Sequence, residues 1–223
     1  MNAQDYCEMV ERKDRFNKQR ASKIPIVEDN SPLVSLKEAG LNLLFEPSTM
    51  EGYKYLVREA IVEKIGRISS FLKNEDKTLI IRSVWRSFEH QRLIWDNKVA
   101  FLEKIHPFKN AEQINEMVSY FIAPETKSMH TTGGAVDALI FDRKNVRVMD
   151  FGTNDGLKID LNKQCYPYHP DITPIARENR KLLIHLFEKE DFVVDVKEYW
   201  HFDYGNIIWA IEKKKKHAIY GVV

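Results

Sequence analysis

At 223 residues, 43% hydrophobic and 11% aromatic, the chain can bury a sizeable core, and one main domain is the default expectation. Its 34 basic and 33 acidic residues leave a net charge of +1, which argues against a broad nucleic-acid surface. Cys7 and Cys165 lack metal-ligand spacing, the N-terminus lacks an apolar signal core, and no apolar run nears the ~20 residues of a membrane span, so a reduced, cytoplasmic setting without membrane contact is expected.

Residues 1–30 read as a polar N-terminal arm with a short helix over Glu8 to Gln19, and residues 31–223 as a single domain. Ser48 and Glu51 form a capping box that predicts a helix start. Tyr53, Leu56, Val57, Ala60, Ile61, Ile65, Ile68 and Leu72 give that helix an apolar stripe. Thr78 to Ile81 reads as a strand ending at Arg82 to Arg86, after which Ser87 caps a helix burying Trp95, Val99, Leu102 and Ile105. Asn110 and Gln113 open another, with Ile114, Met117, Val118 and Phe121 inward and Pro124 as its stop. Ala138 to Phe141 predicts a buried strand returning through Asp142–Asn145 into Val146–Val148. The polar stretch 151–170 suits a long loop over a site. Thr173-Pro174 opens a helix with Ile175, Leu182, Leu183, Leu186 and Phe187 as its core face. Two short antiparallel strands, around 192–194 and 200–202, and a last helix over Ile207 to Lys216 complete the chain. Strands grouped late, with helices before and between them, predict an α+β fold.

The chemistry concentrates in two places. Ser128-Met129-His130-Thr131-Thr132-Gly133-Gly134-Ala135-Val136-Asp137 brings an imidazole and a carboxylate to the mouth of a strand across a glycine turn, where backbone can approach a bound ion closely. Glu198-Tyr199-Trp200-His201-Phe202 offers a second carboxylate–histidine pair. Nitrogen and oxygen ligands with one position left for water are the composition of a catalytic zinc site. Read alone, His130 is a hydrogen-bonded turn residue and His201 a satisfied core residue; their carboxylate neighbours shift the balance. His90 and His185 read as surface groups, His106 and His217 as helix-end residues. His169 lies beside Pro170.

These two segments resemble the paired signatures of the zinc D-alanyl-D-alanine dipeptidases of the VanX type, Ser-x-His-x-x-Gly-x-Ala-x-Asp and Glu-Trp-Trp-His. Ser83-Val84-Trp85-Arg86-Ser87 is similar to that family's Asp-Gly-Tyr-Arg-Pro element. Val148 to Thr153 is similar to its Asp-Met-Gly-Thr stretch, and Glu178 to Lys181 to its Asn-Arg-Arg helix. The resemblance implies a central antiparallel sheet flanked by helices, Hedgehog/DD-peptidase-like. It also implies one Zn²⁺ per chain on His130, Asp137 and His201, with Glu198 as catalytic base, Arg86 beside the scissile carbonyl and Ser128 as a substrate-binding hydroxyl. Where the family has Phe-Asp after Gly-Thr, this chain has Asn154-Asp155-Gly156, so Asp155, the candidate for the substrate's ammonium, stands one residue early. The implied activity is hydrolysis of D-Ala-D-Ala or a similar small peptide. A carboxypeptidase or endopeptidase acting on longer muropeptides, and a non-catalytic zinc-binding module of the same fold, are the alternatives. The sequence carries no signal for oligomeric state.

Overall fold

The computed structural model describes residues 1–119, 122–153 and 163–223. Helix α1 (Ala3–Ala21) is longer than its polar composition suggests. Asn2 caps it by accepting from the Asp5 amide, and Tyr6 and Val10 enter the main core. Strand β1 (Leu33–Ser35) pairs antiparallel with β3 (Leu56–Arg58) in a small two-stranded sheet. Between them β2 (Leu43–Phe45) joins the main sheet. Helix α2 (Glu59–Asn74) and strand β4 (Lys77–Ser83) follow, then helices α3 (Phe88–Ile105) and α4 (Ala111–Ser119), which share a small apolar cluster.

A one-turn 3-10 helix (Met129–Thr132) leads through two glycines into β5 (Ala135–Asp142), and a hairpin returns in β6 (Arg147–Val148). Helix α5 (Pro174–Lys189), strands β7 (Val193–Val194) and β8 (His201–Asp203), and helix α6 (Ile207–Glu212) close the fold. The main sheet runs β2-β4-β5-β8-β7 with β6 beside β5. It is α+β, but mixed rather than wholly antiparallel. Edge strand β2 runs parallel to β4, because α2 carries the chain across before β4 begins. Among the described residues no helix is long and apolar enough to cross a membrane.

The helix expected from Ser48 does not form there. Ser48 Oγ instead accepts from the Met50 amide in a turn, and Gly52 and Tyr55 take positive φ, which breaks any helix. Tyr55 and Val57 are buried ahead of the helix, and α2 starts at Glu59 with Ile61, Ile65, Ile68 and Leu72 inside. Each of those four side chains contributes about 1.5–3 kcal/mol by leaving water. Ser87, Thr173 and the reciprocal Asn110–Gln113 pair cap their helices as the residue types predict. Ile105 and Ile175, expected inside, are 52% and 66% exposed at the ends of their helices. Phe121 lies outside the described residues. His90 is buried against Tyr53 rather than at the surface, with the rings 5.1 Å apart.

Strand alternation divides the sheet into a core face and a site face. Val136, Ala138, Ile140 and Phe202 face the core beneath α2 and α5. Asp137, His201 and Asp203, of opposite parity, face the other way. In β4 the register shifts between Ile81 and Ser83, so that Ser83 lies opposite Asp137 although Ile81 is a core residue. That irregularity re-aims the end of β4 toward the site. Asp137 pairs in turn with His201, which sets Ser83, Asp137 and His201 in one row across three strands.

Candidate metal centre

His130, Asp137 and His201 are all buried, and each offers a ligand atom within 4.8 Å of the other two. His130 comes from the 3-10 helix. Its Nδ1 stands 2.8 Å from the Val84 carbonyl, which can only accept, so Nδ1 carries the hydrogen and Nε2 the lone pair. Burial, followed by the Arg86 charge, lowers its pKa to about 4, which keeps the ring neutral. Nε2 then faces Asp137 Oδ2 at 3.2 Å. Two acceptors opposed at that distance repel unless a cation lies between them.

His201 Nδ1 stands 2.9 Å from Asp137 Oδ1, and its Nε2 3.1 Å from Asp203 Oδ1. Burial alone would lower its pKa, but Asp203 and Asp137 raise it well above the ordinary value. Burial would likewise raise Asp137, yet His130, once protonated below about pH 4, and His201 hold it well below the usual carboxylate range. The donor set is two imidazoles and a carboxylate without sulfur, which suits a first-row divalent ion, zinc foremost.

The two glycines are required by packing. A Cβ on Gly133, where φ is +73°, would meet Leu33 at 2.5 Å, and one on Gly134 would meet the Tyr204 carbonyl at 2.3 Å. Gly133 lets the 3-10 turn close against β1 and Arg58, and Gly134 lets it close against the residue that follows β8, which together set His130 beside Asp137.

Arg86 follows the end of β4. It donates from Nε to Ser83 Oγ at 2.8 Å, from Nη1 to Gln91 Oε1 at 3.2 Å and from Nη2 to Asp137 Oδ2 at 3.1 Å. Ser83 therefore supplies, through its hydroxyl, the anchor that turns this guanidinium toward the site. Glu198 lies in the turn before β8, three residues from His201. Asp195 Oδ1 accepts from the Lys197 and Glu198 amides at 2.7 and 3.1 Å and shapes that turn. Lys197 is held in turn by Asp14 of α1 at 2.9 Å, so the N-terminal helix braces the same turn.

Burial, with the Asp137 and Asp195 charges against His201 and Arg86, raises the Glu198 carboxyl to about 8. Ser128 is buried at the entrance of the 3-10 helix. Asp155 lies outside the described residues. Tyr199 is a core residue, its ring stacked on Phe151 at 5.5 Å. Asp203 and Asp195 were missed in the sequence, although the His-x-Asp spacing along a strand places Asp203 on the His201 face.

The shifted groups predict a pH dependence. Without a bound cation, folded Glu198 and His201 each keep a proton that the unfolded chain releases at lower pH. A raised folded pKa contributes stability that is complete below the unfolded value and lost as pH rises through the folded one. The cation-free protein should therefore lose stability between about pH 6.5 and 8, by up to about 1.4 kcal/mol per pH unit from each group. His130, depressed to about 4, acts in the opposite sense, but below about pH 6.5. Melting curves of chelator-treated protein across that interval test this, and a rising Tm would contradict it.

The chain is similar to several known proteins. Residues 42–217 match a family described as D-ala-D-ala dipeptidase. D-alanyl-D-alanine dipeptidase of Escherichia coli (strain K12) is 21% identical over 170 residues, covering 76% of this chain and 77% of that one. Among solved structures, the LdcB LD-carboxypeptidase is 17% identical at a TM-score of 0.48, over 85% of this chain and 76% of its own. A mutant of the vancomycin resistance D,D-pentapeptidase VanY in complex with Zn(II) is 18% identical at 0.45, over 84% and 90%.

Proposed function

The chain belongs to the D-ala-D-ala dipeptidase family, and from that membership we propose that it hydrolyses D-Ala-D-Ala, or a similar small dipeptide of cell-wall origin, with one zinc ion per chain. The observation that carries the reading is the convergence of His130, Asp137 and His201 on one point, with Arg86 bonded to the same carboxylate. In this reading the three residues would hold zinc, which when bound would supply Lewis-acid chemistry: polarisation of the scissile carbonyl and a water pKa lowered toward ~7.

The chain's own groups do the rest. Glu198 takes the proton of the attacking water and delivers it to the leaving amine, and a carboxyl raised from the ordinary range is suited to both halves of that transfer. Arg86, fixed by Ser83 and Gln91, offers Nη2 to the oxygen on which charge develops. Ser128 binds substrate through its hydroxyl, and Asp155 would receive the free ammonium. The sheet row that sets Ser83 beside Asp137 supports this reading, because it holds Arg86 against the ligand set.

The test is hydrolysis of D-Ala-D-Ala beside its N-acylated form, with zinc content measured on the same sample. Turnover of the free dipeptide alone, lost on chelation, supports the dipeptidase. Turnover of the acylated form moves the assignment to a carboxypeptidase, and zinc without turnover of either leaves a binding module. Arg86→Ala should lower kcat by about 10²–10³ with zinc retained. An unchanged kcat would remove Arg86 from the mechanism.

A further inference from the structure

We infer that Asp203 is a positioning residue, which fixes the ring orientation and tautomer of His201 as a metal ligand; this rests on the metal reading above. Asp203 follows His201 by two residues in β8, so both project from the same face. It is fully buried. One oxygen, Oδ1, takes both His201 Nε2 at 3.1 Å and Asn206 Nδ2 at 2.6 Å. The other, Oδ2, is buried and has no hydrogen-bond partner among the described residues. A buried carboxylate in that condition favours an N–H from the imidazole, since the other possible tautomer would oppose a lone pair to the charge and leave the Asn206 amide as its one donor among the described residues. Nε2 therefore carries a hydrogen in either protonation state, and Nδ1, 2.9 Å from Asp137, is the nitrogen that gives up its proton and offers a lone pair when a cation binds.

The support is itself supported. Asn206 is fully buried, and its Oδ1 accepts from the Trp209 amide at 3.1 Å as the cap of α6. A chain of contacts thus runs from the start of α6 through Asn206 and Asp203 to His201. The two histidines differ in this respect. Behind His130 stands the neutral carbonyl of Val84, behind His201 a carboxylate. An anion at that place both orients the ring and increases the electron density available at Nδ1.

The experiment is zinc affinity, by competition with a chromogenic chelator, for the wild-type chain, Asp203→Asn and Asp203→Ala, with a thermal melt of each metal-free protein. Both variants should bind zinc about 10–100-fold more weakly. Asp203→Asn keeps the shape of the side chain, so it carries the test if the alanine variant fails to fold. Zinc affinity within about twofold of wild type in Asp203→Asn would overturn the positioning role and leave Asp203 as a partner of Asn206 alone. A wild-type chain that takes up no zinc would overturn the metal reading, and this inference with it. Wild-type binding with no loss in the variants overturns this inference only.

Discussion

Replacing Glu198 with glutamine is expected to lower kcat on D-Ala-D-Ala by about 10²–10⁴ while zinc content stays near one per chain. The side chain keeps its volume and can still hydrogen-bond, so the amide removes proton transfer and little else. The turn that presents residue 198 is held by backbone donation to Asp195 and by the Lys197–Asp14 ion pair, neither of which uses the Glu198 carboxyl. His130, Asp137 and His201 likewise have their hydrogen-bond partners elsewhere. A fall in kcat without loss of zinc therefore isolates the base. Zinc lost together with activity would make Glu198 a support of the ligand set, and full activity in the variant would reject the mechanism. The raised carboxyl bears on the result as well. Under the proposed mechanism, zinc held by His130, Asp137 and His201 would add positive charge to the surroundings of Glu198 and pull its pKa down from about 8 toward the range where it accepts a proton at neutral pH.

The parts of this molecule legible in its sequence are those fixed by local chemistry. Ser87, Thr173 and the Asn110–Gln113 pair announce their helices because a cap is a contact between residues three apart. The β5–β6 hairpin was legible too, through Asp142 and Asn145, which bond within the turn. What was misread depends on distant partners. Residues 53–57 have apolar spacing compatible with a helix, but Val57 and Leu56 find their partners in β1, more than twenty residues earlier. His90 looked exposed among charged neighbours because nothing nearby in sequence reveals that Tyr53 covers it. The site shows the same division. The histidines and carboxylates stand out as residue types, and family resemblance suggests their roles. The convergence of His130, Asp137 and His201, however, comes from the β5–β8 pairing and the closely packed glycine turn, and the aim of Ser83 and Arg86 from a register shift in β4 that no spacing announces. Asp203 sits between these cases, visible by strand parity once β8 is known.

Arg58 illustrates the hidden class most fully, and its replacement by alanine is expected to cost about 3–5 kcal/mol of stability. Its guanidinium is 2% exposed as a residue and joins four segments that are remote in sequence. Nε donates to the Thr132 carbonyl at 2.8 Å, Nη1 to the Ser31 carbonyl at 2.6 Å, and Nη2 to the Gly221 carbonyl at 3.2 Å. Glu28 balances the charge at 3.1 Å, and the guanidinium carbon lies 5.0 Å from the centre of the Tyr220 ring. Alanine would leave these carbonyls without their donors and Glu28 without its counter-charge. The penalty is that of stranded groups rather than of one lost ion pair. For a chain of this size the change corresponds to a fall in Tm of about 6–20 °C. Because Thr132 ends the 3-10 turn that carries His130, zinc affinity should fall as well. Lysine at this position can restore the charge but not the three-way fork, so Arg58→Lys should recover only part of the loss. Chemical denaturation of the two variants decides the matter. Alanine within about 1 kcal/mol of wild type would mean that the segments hold together without Arg58, through the apolar contacts beneath them. Full recovery by lysine would mean that charge, not geometry, is what the turn requires.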